Sequence, residues 1–344
     1  MVLTVLNSPL ELPPHYDPAK AADIWRVPYL QRAQEAVMWA KKNDILPAAL
    51  DKQRIALMLV DVQNTFCLPE FELFVGGRSG TGAMDDNRRL CEFIYRNMRS
   101  ITKIIATLDT HQAVQIFHAI YLINDMGEHP APMTMISYDD VMQGKWKFNS
   151  NLADSLGIKP EDGQRHLLYY VQSLKNKGKY DLTIWPYHAM LGGIGHALVA
   201  SVEEALFFHT IARNKQVDFE IKGENPQTEH YSVIRPEIMH GADGRLLGRH
   251  NSKFLRVVEE YDALIIAGQA KSHCVAWTVE DLLEDINAHN PNLAKKVYLL
   301  EDCMSVVVIP GVVDYTEQAE AAFQRFAEAG MHRIISTEPM ANWH

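Results

Sequence analysis

The sequence predicts an α/β protein in which a mostly parallel sheet lies between two layers of helices. Short, continuous apolar runs recur along the chain and alternate with segments of helical periodicity. A continuous apolar run is typical of a parallel strand that is covered on both faces. Strands that alternate with helices indicate βαβ units. We therefore expect a three-layer α/β/α architecture.

The chain is expected to open with an N-terminal extension, residues 1–53, that packs on the main body. Closely spaced prolines keep its start irregular. Residues 21–42 have helical spacing, and Pro28 is expected in the first turn of the longer helical piece.

The main domain is predicted over residues 54–344. Its predicted strands are 55–60, 101–108, 217–221, 263–267, 296–300 and 333–336. Its predicted helices are 85–100, 275–286 and 316–329. The segment at about 120–182 has helical and aromatic content, which indicates that it is ordered. It could form a lid, enlarge a pocket wall or bind another subunit of a homo-oligomer.

Composition excludes several classes of function. The 344 residues carry 33 Lys and Arg against 43 Asp and Glu, a net charge of −10. A general nucleic-acid binder would need a basic face, so no nucleic-acid partner is expected. The sequence contains no apolar run of the length that a membrane helix needs, so no membrane partner is expected. Its first residues have no basic stretch and soon reach a proline, so they are not expected to act as a signal peptide. Four cysteines in so long a chain do not form a disulfide framework, which favours the reducing cytoplasm.

Four chemically active side chains follow predicted strands. Asp61, Asp109, Lys222 and Cys274 each lie at, or within a few residues of, a strand end. In open parallel sheets, sites form at the carboxyl ends of the strands. An acid, a second acid, an amine and a thiol are therefore expected at one edge of the sheet.

Cys274 is the candidate nucleophile. It follows a strand and a glycine-containing turn and lies at the start of a predicted helix. Unpaired N–H groups and the helix dipole favour an anion there, so they promote the thiolate form. Cys67, Cys91 and Cys303 lack this position and are interpreted as small buried apolar residues.

Asp61 is the candidate base and proton carrier for that thiol, since a carboxylate can accept the thiol proton and later donate it to a leaving amine. Lys222 could hold the thiolate and the carboxylate electrostatically. Gly223 lets the chain turn directly after Lys222.

Asp109 and His111 form a candidate metal pair. Residues i and i+2 of an extended segment point the same way, so both can reach one ion. Asp and His with open positions suit a divalent ion such as Zn²⁺ that also binds water or a ligand. The spacing leaves the third ligand open among the downstream histidines, which include His118, His129, His188 and His196.

Six segments, in chain order, resemble the motifs of the isochorismatase-like cysteine hydrolases, and of nicotinamidases in particular. They are LMLVDVQNTF at 57–66, TLDTH at 107–111, WPYH at 185–188, IKG at 221–223, AGQAKSHCV at 267–275 and LLEDCMS at 299–305. Each motif alone is weak, but six in the right order are specific. The resemblance covers about 54–115 and 183–336, and it implies the isochorismatase-like hydrolase fold. Typical members have a much shorter segment between the motifs at 107–111 and 185–188, so residues at about 120–182 would be an insertion.

The resemblance also implies roles. Cys274, Asp61 and Lys222 would form the catalytic triad. Asp109, His111 and His188 would bind the metal, commonly Zn²⁺, with Mn²⁺ or Fe²⁺ as alternatives. A cis peptide bond would join Gln269 to Ala270, and the N–H groups of Ala270 and Cys274 would form the oxyanion hole. Phe66 would stack on the substrate ring. The implied activity is the hydrolysis of nicotinamide to nicotinate and ammonia through a Cys thioester.

Three other functions are alternatives to nicotinamide hydrolysis. A related cysteine hydrolase of another small amide or ureide shares the triad but usually lacks the metal ligands. A catalytically retired scaffold could use the insertion as a partner-binding surface, although no triad member is lost. A nucleotide-binding protein is disfavoured, because the glycine-rich segment at 191–195 does not follow a strand.

Overall fold

The computed structural model of the chain describes residues 9–177, 180–340 and 343, so the first eight residues of the predicted extension lie outside it. The helices are α1 (Tyr29–Lys42), α2 (Asn64–Cys67), α3 (Gly82–Arg96), α4 (Tyr138–Met142), α5 (Pro160–Lys177), α6 (Ala200–Arg213), α7 (Lys253–Glu260), α8 (Ala276–His289) and α9 (Thr316–Glu328). The strands are β1 (Ile55–Val60), β2 (Ile101–Asp109), β3 (Leu122–Ile123), β4 (Met135–Ile136), β5 (Lys147–Phe148), β6 (Leu182–Thr183), β7 (Asp218–Lys222), β8 (Ala263–Gly268), β9 (Val297–Leu300), β10 (Val308–Ile309), β11 (Val313–Asp314) and β12 (His332–Ile334).

A six-stranded sheet has the strand order β12-β9-β8-β1-β2-β7. Strand β1 pairs in parallel with β2 and with β8, and β9 pairs in parallel with β8 and with β12. Strands β1 and β8 are central and fully buried along their whole length, as their continuous apolar runs predict. The predicted α/β class with a mostly parallel sheet is confirmed.

Helices cover both faces of this sheet. Ile55, Leu57 and Leu59 belong to a hydrophobic cluster that includes residues of α1, α3 and α6. Ala56 and Met58, which point to the opposite face, are equally buried but lie outside that cluster. Helices α7, α8 and α9 pack against one another in sequence, and α7 contacts β8. The sheet is therefore the middle layer of three, as predicted.

Several boundaries differ from those the sequence predicts. Helix α3 begins three residues early and ends at Arg96, because the Asn97 side chain donates to the Phe93 carbonyl (2.9 Å) and closes the last turn. Helix α6 is absent from the predicted elements. Most of its residues are buried, so the sequence lacks the one-sided periodicity that identifies a surface helix.

The described residues divide into two compact units. The first comprises Met1–Leu108, Ala197–Glu220 and Ser252–His344, and it contains most of the sheet with its helices. The second comprises Asp109–His196 and Ile221–Asn251. The predicted insertion belongs to the second unit, where α4 packs on α5 and short antiparallel ribbons join β3 to β5 and β4 to β6. None of the described helices is long and apolar enough to span a membrane.

Candidate active site and metal centre

In the first unit, the two central strands end side by side. Val60 of β1 is in register with Gly268 of β8, and the Gln269 N–H donates to the Val60 carbonyl (2.8 Å). A Cβ on Gly268 would lie 2.7 Å from the Val60 nitrogen, so only glycine allows this approach. The segments that begin at Asp61 and Gln269 therefore leave the sheet as neighbours.

Asp61 directly follows β1, as predicted, and is completely buried. Its backbone has a positive φ of 47°. The Asp61 N–H donates to the Thr107 hydroxyl oxygen (3.0 Å), and the Thr107 hydroxyl in turn donates to Oδ1 of Asp61. One residue of the neighbouring strand therefore fixes both the backbone and the side chain of Asp61.

Cys274 lies in a π-helical turn, Lys271–Val275, that leads directly into α8. It is buried, with 7% of its surface exposed. This confirms its predicted place in the first turn of a helix, where backbone N–H groups favour an anion. The other cysteines lack that setting, and burial raises the pKa of Cys91 to about 12. Cys67 is the last residue of the single-turn helix α2 and is completely buried, as expected of a small apolar residue.

The peptide bond between Gln269 and Ala270 is cis, as the family resemblance implies. The Gln269 side chain is held at both ends: its Nε2 donates to Asp86 Oδ2 (2.8 Å), and its Oε1 accepts from the Ser305 N–H (3.1 Å). Sequence reasoning missed Asp86. As one of two adjacent acidic residues near a helix start, it is indistinguishable in the sequence from a solvated carboxylate.

Phe66 lies in α2 and is buried within the hydrophobic cluster of the first unit. Its stacking on a substrate ring stays a prediction, as does the use of the Ala270 and Cys274 N–H groups as an oxyanion hole.

In the second unit, Asp109, His111 and His188 come together. One ligand atom from each lies within 4.8 Å of the other two, and all three residues are buried. Oδ2 of Asp109 is 2.8 Å from Nε2 of His111 and 3.7 Å from Nε2 of His188. Among the downstream histidines, His188 is therefore the one whose ring nitrogen joins the pair.

Both imidazoles are oriented for metal binding. Nδ1 of His111 lies 3.2 Å from the Gly223 carbonyl, and Nδ1 of His188 lies 2.7 Å from the Pro186 carbonyl. A carbonyl oxygen only accepts, so each Nδ1 carries a proton, and Nε2 of each ring is the nitrogen that faces Asp109 and could bind an ion. One carboxylate and two such nitrogens are a suitable donor set for Zn²⁺ or a similar divalent ion.

The other downstream histidines have different surroundings. His196 Nε2 bonds the Thr110 hydroxyl (2.8 Å), and the exposed His129 bonds the Leu122 carbonyl. The His118 ring lies beside the cluster, with its centroid 5.8 Å from that of His188. Burial, reinforced by the charges of neighbouring histidines, lowers the pKa of His118 to about 3.

The protonation states of the cluster also suit a cation. Burial by itself would raise the pKa of Asp109, but the charges of His111 and Lys222 outweigh it and hold that pKa well below its usual value. Burial lowers the pKa of His188, which keeps its imidazole neutral near pH 7. Lys222, the last residue of β7, donates from Nζ to Asp109 Oδ1 (2.8 Å) and to the His230 carbonyl (3.1 Å).

Gly223 forms one wall of this cluster. It has a φ of +89°, and a Cβ added there would lie 2.6 Å from Cε1 of His111 and 2.9 Å from Oδ1 of Asp109. We expect Gly223→Ala to displace both ligands and to weaken Zn²⁺ binding by at least about tenfold. Titration against a chelating indicator measures this. Gly192→Ala is the matched control, since Gly192 also has a positive φ (+82°) but nothing lies within 4 Å of its added Cβ. Equal affinity in Gly223→Ala and the wild type would contradict the expectation.

Comparison with known proteins finds no matching family model and no matching curated protein. Solved structures do match. The nicotinamidase/pyrazinamidase of Acinetobacter baumanii is 20% identical, with a TM-score of 0.47, over 83% of this chain and 98% of that one. The yeast nicotinamidase is 17% identical, with a TM-score of 0.49, over 81% of this chain and 99% of that one. The pyrazinamidase of Pyrococcus horikoshii in complex with zinc is 18% identical, with a TM-score of 0.41, over 82% of this chain and 98% of that one. These similarities are too distant to assign an activity, so the proposal below rests on the residues of this chain.

Proposed function

We propose that this chain is a metal-dependent cysteine amidohydrolase, and specifically a nicotinamidase that converts nicotinamide and water to nicotinate and ammonia. The observation that carries the proposal is the buried donor set of Asp109, His111 and His188, in a chain whose Cys274 lies in the helical turn between the central strand β8 and helix α8. The six motif resemblances in order support the same assignment. The proposed location is the reducing cytoplasm, where Cys274 stays a thiol.

In the proposed reaction, Asp61 removes the proton from Cys274, and the thiolate attacks the amide carbonyl carbon. The N–H groups of Ala270 and Cys274 donate to the developing oxyanion. The oxyanion collapses, the carbon–nitrogen bond breaks, and Asp61 returns the proton to the departing ammonia. Asp61 then deprotonates a water molecule that attacks the thioester carbon. The carbon–sulfur bond breaks, the carboxylic acid is released, and the Cys274 sulfur takes the proton back from Asp61, which restores the thiol.

In this proposal, Asp109, His111 and His188 hold one divalent ion, Zn²⁺ or alternatively Mn²⁺ or Fe²⁺, which when bound supplies a Lewis acid for the ring nitrogen of the substrate. Lys222 has two proposed effects. It keeps Asp109 ionised through the hydrogen bond to Oδ1, and its charge stabilises the negative groups of the reaction.

An ammonia-release assay with nicotinamide, pyrazinamide and an aliphatic amide, with and without a chelator, tests the proposal. We expect release from the two ring-nitrogen amides only, lost on chelation and restored by added Zn²⁺. Release from the aliphatic amide alone would overturn the nicotinamidase assignment and leave an amidase. Full activity after verified metal removal would overturn the metal role, and no release from any amide would favour the retired scaffold.

A further inference from the structure

The second unit contains a hydrogen-bonded series of buried and partly buried polar side chains that ends close to His188 in sequence. Glu229, only 3% exposed, accepts from two phenols: the Tyr170 hydroxyl donates to its Oε2 (3.0 Å), and the Tyr231 hydroxyl donates to its Oε1 (2.8 Å). The Tyr231 oxygen in turn accepts from the indole N–H of Trp185 (2.9 Å). Trp185 begins the four-residue segment that ends at the metal-ligand candidate His188.

The donors and acceptors along this hydrogen-bonded series are mutually consistent. The backbone N–H of Glu229 also donates to the Tyr170 oxygen (2.8 Å), so that hydroxyl both accepts and donates. Burial, reinforced by the Glu229 charge, raises the pKa of Tyr170 and of Tyr231 well above the usual value, so both remain protonated donors. Hydrogen bonds to a carboxylate are short and strong, and a buried network with each link made holds a single geometry.

His188 lies between two anchored stretches of backbone. On its C-terminal side, the His111 N–H donates to the Ala189 carbonyl (3.0 Å) and the Leu191 N–H donates to the His111 carbonyl (2.9 Å). On its N-terminal side, the Trp185 N–H donates to the Phe117 carbonyl (2.8 Å). The Trp185 side chain adds the link to Tyr231 on that same side.

The end of this hydrogen-bonded series that is farthest from His188, Tyr170, belongs to the insertion. Tyr170 is a fully buried residue of α5, within the predicted segment 120–182. Burying the Glu229 carboxylate and the Tyr170 phenol costs desolvation energy, and their hydrogen bonds bring only a modest net gain in stability. The main effect of such a network is therefore on geometry, and the geometry it defines is that of the Trp185–His188 segment.

We propose that Tyr170, Glu229 and Tyr231 are positioning residues that hold Trp185, and through it His188, in place for metal binding, so that the insertion contributes to metal affinity. This inference rests on the metal site of the proposed function, but it does not depend on the substrate. It gives part of the insertion a role within the second unit.

The test measures Zn²⁺ affinity by competition with a chelating indicator, well below the melting temperature of each variant. Tyr231→Phe removes only the oxygen that joins Trp185 to Glu229, and Tyr170→Phe removes only the oxygen that joins α5 to Glu229. We expect each variant to bind Zn²⁺ about tenfold more weakly than the wild type, in line with substitutions that disturb the support of metal ligands. Tyr169→Phe is the matched control, since its half-exposed ring is the adjacent residue on the same helix; its affinity should be unchanged.

Hydrogen exchange adds a second measurement that does not involve metal. In the metal-free protein, we expect amides of the segment 185–191 to exchange faster in Tyr231→Phe than in the wild type. A purely structural network would lower the melting temperature of the variants and leave Zn²⁺ affinity unchanged, and that result would overturn the inference while the metal site stands. A wild-type protein that binds no divalent ion would overturn the metal site and this inference together.

Discussion

Cys274→Ala is expected to lower the rate of ammonia release from nicotinamide to below about one thousandth of the wild-type rate, because losing the nucleophile removes the covalent route as a whole. The substitution removes one sulfur atom from a nearly buried position, so the protein should remain folded. Zn²⁺ affinity, measured in parallel, should be unchanged. The loss would then lie in the chemical step and not in assembly of the metal site.

Cys91→Ala provides the matched control. Cys91 is a fully buried thiol within α3, and its pKa of about 12 keeps it protonated near pH 7. We expect this variant to retain activity and iodoacetamide to label Cys274 alone in the native protein. Wild-type rates in Cys274→Ala would exclude the thioester route, whereas equal loss in both variants would indicate a general loss of structure.

His188→Ala is expected to weaken Zn²⁺ binding by more than about 100-fold, since altering the surroundings of a metal ligand already costs 10- to 100-fold. The remaining pair, Asp109 and His111, offers too few ligands for a protein zinc site. Nicotinamide hydrolysis should fall with metal occupancy and recover in part at high Zn²⁺ concentration. Titration calorimetry and the ammonia assay, run on the same preparations, measure both effects.

His129→Ala controls for the loss of an imidazole, because His129 is an exposed histidine of the same unit. It should bind Zn²⁺ as the wild type does. If His188→Ala and the wild type bind Zn²⁺ equally, the ion lies elsewhere and the assigned ligand set is wrong.

The ends of the central strands were predictable because the sequence features that mark them lie within a few residues of each end. Continuous apolar runs stop at Asp61 and at Gly268, and the polar residues that follow stand out against them. Asp109 and His111 were predictable as a pair because alternation in an extended segment places both on one side. His188 was not predictable from spacing, since a long insertion separates it from His111; it was found through its resemblance to a family motif.

The supporting residues were beyond sequence reasoning for a different reason. Asp86 and Glu229 are buried carboxylates that accept from residues distant in sequence, Gln269 and Tyr170, and in the sequence alone they look like ordinary surface acids. Gly223 suggested only a turn, whereas its contact with His111 depends on how two segments about a hundred residues apart pack. These roles arise from tertiary contacts, which leave no periodic pattern in the sequence around each residue.

The close approach at Gly268 limits how this protein could be redesigned. Side chains at this position would meet the Val60 backbone, which no rotamer change can relieve, so a mutational library should find almost no tolerated residue there. Replacing Lys271, three residues on, would remove an ion pair with Glu301 (2.8 Å) and a contact with the Phe323 ring, but it would create no clash with the Val60 backbone. Efforts to alter substrate preference would therefore do best to keep the start of this turn and diversify positions beyond it.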